Sequence, residues 1–229
     1  MRLGFDGLSR VYRALEFAAL GRGLERARFA HVAALSGCRE VLLLGDGDGR
    51  FAQKLAEVAP RARITSVDSS AGMLAESARR NASAASRIRF VHSDALAFQA
   101  AEGSFDGAAA LFFLDCFPAA KVEALAESVG RWLRPDAPLL YADFAVPPRG
   151  LPRLQARACL SVLYPFFRWQ AGIEAQELPP SEEILMACGW RTQAEASFRG
   201  GMLRSAVLRR GAPTAARAAS PSPARPASR

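Results

Sequence analysis

Val41-Leu42-Leu43-Leu44-Gly45-Asp46-Gly47-Asp48-Gly49 is the stretch that decides the fold. Four consecutive apolar residues read as a short strand buried on both faces, the kind found in parallel sheets. Three glycines at alternate positions follow at once, and Phe51 to Val58 then takes up helical spacing. Glycines at a strand–helix turn let the backbone approach a ligand closely, and the following helix N-terminus offers unpaired N–H groups. A tight turn needs glycine with or without a ligand, so function has to come from what accompanies it.

Outward from this turn the pattern repeats. Arg63 to Val67 reads as a strand, Ala71 to Asn81 as a helix, and Ile88 to Val91 as a strand. Phe105 to Phe113 is strand-like, Ala119 to Leu133 helical, and Leu139 to Phe144 again a strand. Such alternation argues for an α/β fold with a doubly wound parallel sheet. Upstream, Phe5 to Leu35 has helical spacing, with Gly21 and Gly23 breaking it into two helices and His31 falling mid-helix. After a helix from Ser181 to Cys188, the alternating segments Arg191–Phe198 and Met202–Arg209 flank Gly200-Gly201. That is a hairpin signal, so the sheet is expected to finish with an antiparallel strand.

The expected organisation is a helical segment at residues 1–36 and a main domain at 37–210, with a helical insert at 147–180. Residues 211–229 form a Pro/Ala/Ser/Arg tail without periodicity, expected to be disordered. With 229 residues, half of them hydrophobic and 23% charged, the chain is neither wholly disordered nor a polytopic membrane protein. The net charge of +8 raises nucleic acid or an acidic membrane as partners. Against this, the only lysines are Lys54 and Lys121, and Arg217, Arg225 and Arg229 lie in the tail. An excess of arginine and alanine with almost no lysine is what a GC-rich genome produces without any binding role. The N-terminus lacks the apolar stretch of a signal peptide, and the run from Ala108 to Leu114 is too short to span a bilayer. Cys38, Cys116, Cys159 and Cys188 are dispersed, with no C-x-x-C pair and no nearby histidine. No metal site is expected, and reduced thiols in the cytoplasm are.

Two aspartates give the glycine turn its chemistry. Asp68 ends the second strand, where a carboxylate can accept both hydroxyls of a ribose. Asp94 follows the third strand, where a carboxylate can accept a hydrogen bond from an adenine amino group. Either residue alone reads more readily as a helix cap or a solvated loop residue. With Asp46 they make three acids at the carboxyl ends of consecutive strands, the edge at which such sheets bind ligands.

On these residues the sequence resembles the class I S-adenosylmethionine-dependent methyltransferases, in particular the branch similar to quinone-biosynthesis and other small-molecule methyltransferases. The likeness runs from Phe5 to about Arg210. The stretch Val41–Gly49 resembles the family's glycine-rich first motif, and Asp68-Ser69-Ser70-Ala71-Gly72-Met73-Leu74 is similar to its ribose-binding segment. Ser93-Asp94-Ala95 sits where the family reads the adenine amine, Phe105-Asp106 opens the fourth strand in its manner, and Leu133-Arg134-Pro135 resembles the turn before its fifth strand. The resemblance implies a Rossmann-like, mostly parallel seven-stranded sheet with a terminal antiparallel hairpin strand. It implies S-adenosylmethionine as cofactor, held by Gly45, Asp46, Gly47, Gly49, Asp68, Ser69, Met73, Asp94 and Ala95. It also makes residues 1–36, with Phe5-Asp6 and Tyr12, a lid over the cofactor. Five positions depart from the pattern: Leu43 where the family usually has an acid, Asp46 and Asp48 where it has small or neutral residues, and Asp136-Ala137 in place of a glycine pair. Asp46 can replace the missing carboxylate by facing the cofactor's ammonium group.

Gly47-x-Gly49-x-x-Ala52 also fits a dinucleotide fingerprint, but neither lysine has the tyrosine four residues before it that a short-chain dehydrogenase needs. The candidate catalytic residues are Asp115, which orients or deprotonates the acceptor, then Asp143, with Tyr12 as a lid residue. His31 and His92 are read as packed or solvated. In the insert, Leu151, Leu154, Ala158, Val162, Phe166 and Trp169 form an apolar stripe and Arg153, Arg157 and Arg168 share another face, which fits an acceptor pocket, a cover helix or a membrane-surface helix. The expected activity is methyl transfer to a hydrophobic small molecule. An RNA methyltransferase and a catalytically inactive scaffold are the alternatives, nucleic acid is not the expected partner, and the oligomeric state is left open.

Overall fold

The computed structural model describes residues 22–151, 153–158, 160–161, 175 and 177–211. Phe5, Asp6, Tyr12, Val162, Phe166, Arg168, Trp169 and the tail beyond Gly211 lie outside the described residues.

Seven strands form one sheet: β1 (Glu40–Leu44), β2 (Arg63–Asp68), β3 (Ile88–His92), β4 (Gly107–Leu111), β5 (Pro138–Phe144), β6 (Trp190–Phe198) and β7 (Leu203–Arg210). Their order is β3-β2-β1-β4-β5-β7-β6. Neighbours from β3 through β5 pair in parallel, and β7 pairs antiparallel with both β5 and β6. The chain thus starts in the middle of the sheet and reverses direction beside β1, so a crevice opens at the carboxyl ends of β1 and β4.

The helices are α1 (Gly23–Phe29), α2 (Arg50–Val58), α3 (Ala71–Arg80), α4 (Ala119–Trp132) and α5 (Ser181–Ala187), with further helical residues at 150–151, 153–158 and 160–161. They cover both sheet faces because the strands alternate sides. Leu42 and Leu44 pack with Val122, Leu125, Val129 and Trp132 of α4, whereas Val41 and Leu43 pack with Phe51, Ala52 and Leu55 of α2. Burial on both faces explains why the strand at Val41–Leu44 is uniformly apolar rather than alternating. A third cluster joins Leu24 and Ala27 of α1 to Phe144, Ala156, Leu160 and Leu203.

Two expectations need correction. The strand expected at Phe105–Phe113 is limited to Gly107–Leu111. At its start the Asp106 carboxylate accepts the Arg39 and Glu40 N–H groups at 2.9 Å, and Phe105 forms only an isolated bridge to Leu133. At its end Phe112 adopts a φ of 55° and turns out of the ladder. His31 is not mid-helix: α1 ends at Phe29, and His31 precedes a short 3-10 turn, Val32–Leu35, with Nε2 3.3 Å from the Ser205 carbonyl oxygen. The apolar spacing runs on through that turn, which is why the sequence reads as one helix.

Gly49 shows how tightly the first turn is pressed onto α3. Its φ is 81°, and a Cβ there would lie 2.8 Å from the Ser77 Cα. Gly49→Ala is therefore expected to lower the unfolding free energy by roughly 2–3 kcal/mol in chemical denaturation, since both backbone strain and a backbone clash arise. A change near zero would mean that α3 yields freely.

Candidate active site

Because β1 through β5 run in parallel, their carboxyl ends lie along one edge, and the acids found in the sequence collect there. Each has a definable local reason to be where it is. The turn after β1 passes through Gly45, Gly47 and Gly49 with φ of 64°, 61° and 81°, the left-handed region that glycine alone enters without penalty. A Cβ on Gly45 would strike the Phe113 ring, and one on Gly49 would strike α3. At Gly47 it would meet nothing within 4 Å. Gly47 therefore faces open space above the turn, which is where a ligand in contact with this backbone has room.

Asp46 turns its carboxylate onto the start of α2. Oδ1 accepts the Phe51 N–H at 3.3 Å and Oδ2 the Ala52 N–H at 2.9 Å, so it caps the helix from outside its first turn. Burial pushes its pKa up to about 7, against the pull of those N–H groups and of Arg28. Asp48, the second departure from the glycine-rich pattern, is held by two arginines: Arg50 Nε donates to its Oδ2 at 2.9 Å and Arg80 at 3.0 Å. Arg80 Nε also donates to the Asp48 carbonyl at 2.8 Å, and Asn81 Nδ2 donates to the Gly49 carbonyl at 3.0 Å. The end of α3 thus grips the turn from below. Leu43, where an acid is more usual, is buried in the apolar layer beneath α2.

Asp68 joins β2 to the same turn. Its Oδ2 accepts the Gly47 N–H at 3.2 Å and its Oδ1 the Ser70 N–H at 2.8 Å. An ionised carboxylate has about four acceptor sites, so capacity remains for the hydroxyls of a sugar. Ser70 caps α3 by accepting the Met73 N–H at 3.2 Å, and Met73 itself is 47% exposed, an apolar side chain presented at the edge. Beside it, His92 Nε2 lies 3.0 Å from the Ser69 carbonyl oxygen. Asp94 Oδ1 accepts the Leu96 N–H at 2.9 Å, and Ala95 is buried behind it. Gly45, Asp46, Gly47, Gly49, Asp68, Ser69, Met73, Asp94 and Ala95 therefore share one strand edge. An open backbone position at Gly47, a carboxylate with free acceptor sites at Asp68 and an exposed thioether at Met73 fit the adenosine and amino-acid parts of S-adenosylmethionine.

Further along the edge the surroundings change. Asp115 lies in a 3-10 turn, Leu114–Cys116, after β4, and Asp143 lies within β5. Both are buried, and the two carboxyls sit side by side near Tyr141; the Phe113 and Phe117 rings, 5.0 Å apart between centres, bracket Asp115 along the chain, while Phe112 and Phe144 pack in the separate cluster against α1. Asp143 Oδ1 accepts the Phe144 N–H at 3.0 Å, while its Oδ2 makes no well-formed hydrogen bond. Burial raises the pKa of both, and the charge of Asp115 adds to the rise at Asp143. The Cys116 thiol, which donates to Asp115 Oδ1 at 3.7 Å, is raised by the same burial and by the neighbouring carboxylates. Two carboxyls so placed hold fewer than two negative charges at neutral pH. Tyr12 lies outside the described residues. Among the described residues no cluster of three or more metal-ligating side chains occurs.

Sequence reasoning missed Arg28, Arg80, Asn81 and Phe113. Nothing in spacing marks them, because they come to the turn from other elements: α1, the end of α3 and the segment after β4.

A family description, Methyltransferase domain, matches residues 41–136. The chain is 31% identical over 154 residues to the demethylmenaquinone methyltransferase of Thermus thermophilus, covering 67% of this chain and 68% of that protein. Its fold is similar to that of the mitomycin 7-O-methyltransferase MmcR, with a TM-score of 0.63 at 21% identity, covering 91% of this chain but only 61% of that one. It is also similar to the N-methyltransferase NodS of Bradyrhizobium japonicum in complex with S-adenosyl-L-homocysteine, with a TM-score of 0.57 at 20% identity, covering 82% of this chain and 87% of that one.

The carboxyl pair makes a stability prediction whose sign can be worked out. A carboxyl whose pKa is raised by folding, above its ordinary 3.8, holds a proton that the unfolded chain has lost. Stability then falls as pH rises through that window. Asp143→Asn removes the cost, so it is expected to raise the unfolding temperature, and by more at about pH 8 than at about pH 4. Thermal unfolding at the two pH values checks this, and an equal shift at both would show that the pair does not titrate.

Proposed function

The chain belongs to the class I S-adenosylmethionine-dependent methyltransferases, and from that premise we propose that it methylates a hydrophobic small molecule that gives up a proton in the reaction. The observation that carries this reading is the buried Asp115–Asp143 pair at the ends of β4 and β5, with the packed Phe113 and Phe117 rings on either side of Asp115 in the chain. An apolar wall selects an apolar acceptor, and a carboxyl within it is placed to orient or take a proton. The similarity to a demethylmenaquinone methyltransferase supports the same class of acceptor.

S-adenosylmethionine supplies a methyl group on a sulfonium, which is already a strong electrophile. The chain's own residues then have three tasks. Asp68, Met73 and Asp94 hold the nucleoside end, with Ser69 and Ala95 shaping the backbone around it. Gly45, Gly47 and Gly49 let the first turn pass close beneath the amino-acid end. Asp115, positioned by Asp143, accepts the acceptor's proton, and the surrounding rings keep water from competing for it.

In the same reading residues 1–36, with Tyr12, act as a lid, and residues 147–180 form the acceptor-binding insert. Within that insert Ala156 and Leu160 are buried against Phe144 and Leu203, which supports an insert seated beside β5. Among the described residues no helix is long and apolar enough to cross a membrane. The free thiols of Cys38, Cys116 and Cys188 support a cytoplasmic setting.

Two measurements test the proposal. Titration calorimetry with S-adenosylhomocysteine is expected to show binding that Asp68→Ala weakens by about 1–3 kcal/mol, the loss of a charge-assisted hydrogen bond. Unchanged affinity would mean that the ribose is held elsewhere. Methyl transfer to a quinol-type acceptor is expected to increase in kcat/KM as pH rises through about 6, where Asp115 ionises, and Asp115→Asn is expected to abolish that limb. A limb that survives the substitution would assign the proton to another group.

A further inference from the structure

The amino-acid end of the cofactor is a zwitterion, with one ammonium and one carboxylate, and the glycine turn offers it only acids: Asp46 and Asp48. Asp48 is neutralised by Arg50 and Arg80. Beyond the backbone N–H groups of the turn, a cationic partner for the carboxylate has to come from outside it. One cation meets the requirements. Arg28, near the end of α1, is part-buried and lies with its guanidinium carbon 5.7 Å from the centre of the Phe112 ring. Phe112 is the residue at which β4 leaves the sheet with a φ of 55°, so its ring sits at the strand edge that carries the site. Arg28 is close enough to Asp46 for its charge to act on that carboxyl. Among the described residues Arg28 makes no ion pair of its own, whereas Arg50 and Arg80 both do.

The placement of α1 is fixed by packing, not by this charge. Leu24 and Ala27 are buried against Phe144 and Leu203, and Phe29 stacks on Phe51 of α2 with ring centres 6.2 Å apart. α1 thus lies across the start of α2 and the end of β5, and Arg28 projects from it between the glycine turn and β4. A guanidinium resting on an aromatic face is only partly hydrated and keeps its N–H fork available for a carboxylate.

We propose that Arg28 binds the carboxylate of the cofactor's methionine moiety while Asp46 faces its ammonium group, so that the pair recognises the zwitterion. This assignment rests on the methyltransferase reading and extends it to a residue outside the glycine-rich segment. It gives the altered turn a rationale. The acid usually carried at the position of Leu43 is displaced to Asp46, and Arg28 keeps the relocated acid from repelling the ligand's own negative end.

The test compares three ligands by titration calorimetry: S-adenosylhomocysteine, its decarboxylated analogue, which keeps the amine, and 5′-methylthioadenosine, which lacks both groups. Arg28→Met is expected to weaken S-adenosylhomocysteine about 10-fold or more, as loss of a charge-assisted bidentate contact does, and to leave the other two within about twofold. Arg28→Gln, which retains a polar planar group over Phe112, is the second variant, and thermal unfolding without ligand establishes that each is folded. Equal weakening of all three ligands would make Arg28 a structural residue that acts through Phe112, and no weakening of S-adenosylhomocysteine would place the carboxylate elsewhere. Either result overturns the assignment alone. Failure of the unaltered protein to bind any of the three would overturn the methyltransferase reading together with it.

Discussion

Everything at the carboxyl edge of the sheet depends on the turn between β1 and α2 keeping an unusual backbone path. Three residues in the left-handed region would be strained with any side chain but hydrogen. The path is then held from three directions. Asp46 ties it to α2 through the Phe51 and Ala52 N–H groups, Asn81 and Arg80 tie it to α3, and Asp68 ties it to β2 through the Gly47 N–H. A turn fixed by this many bonds keeps its N–H groups and its open Gly47 position in place before any ligand arrives, and preorganisation is what such a site needs.

The same bonds explain the departures from the glycine-rich pattern. Asp48 is out of place in a ligand-binding turn until Arg80 is seen beneath it, after which it becomes half of an anchor to α3. Leu43 sits where a carboxylate would have to be buried in the layer formed by Phe51 and Leu55, and an apolar residue there avoids that cost. A carboxylate stands instead three residues on, at Asp46, where two helix N–H groups offset its burial.

Much of this was legible in the residues. The apolar run Val41–Leu44 could only be a strand covered on both faces, and the regular return of strands and helices after it set the parallel order. Asp68 and Asp94 were found because strand ends can be located by pattern, and parallel pairing then puts them on one edge. What was not legible needed long-range information. The meeting of Asp115 with Asp143 depends on β4 and β5 being neighbours and on Phe112 leaving its strand early, and neither follows from local spacing. Arg28, Arg80 and Asn81 look like ordinary helix residues until the helices are packed. His31 was misplaced because a 3-10 turn continues the apolar spacing of the helix before it. The excess of positive charge in the composition explained none of these features, since the residues gathered at the edge are mainly acidic and aromatic.

The most direct measurement is a crystal structure of the protein with S-adenosylhomocysteine bound. The ribose hydroxyls are expected on Asp68, the adenine against Met73 with its amino group toward Asp94, and the amino-acid end above Gly47 between Asp46 and Arg28. The Asp115–Asp143 pair should then lie beyond the sulfur, on the side where an acceptor enters. A ligand bound away from the carboxyl ends of β1 and β2, or a ribose that does not touch Asp68, would contradict the assignment of this edge as the active site.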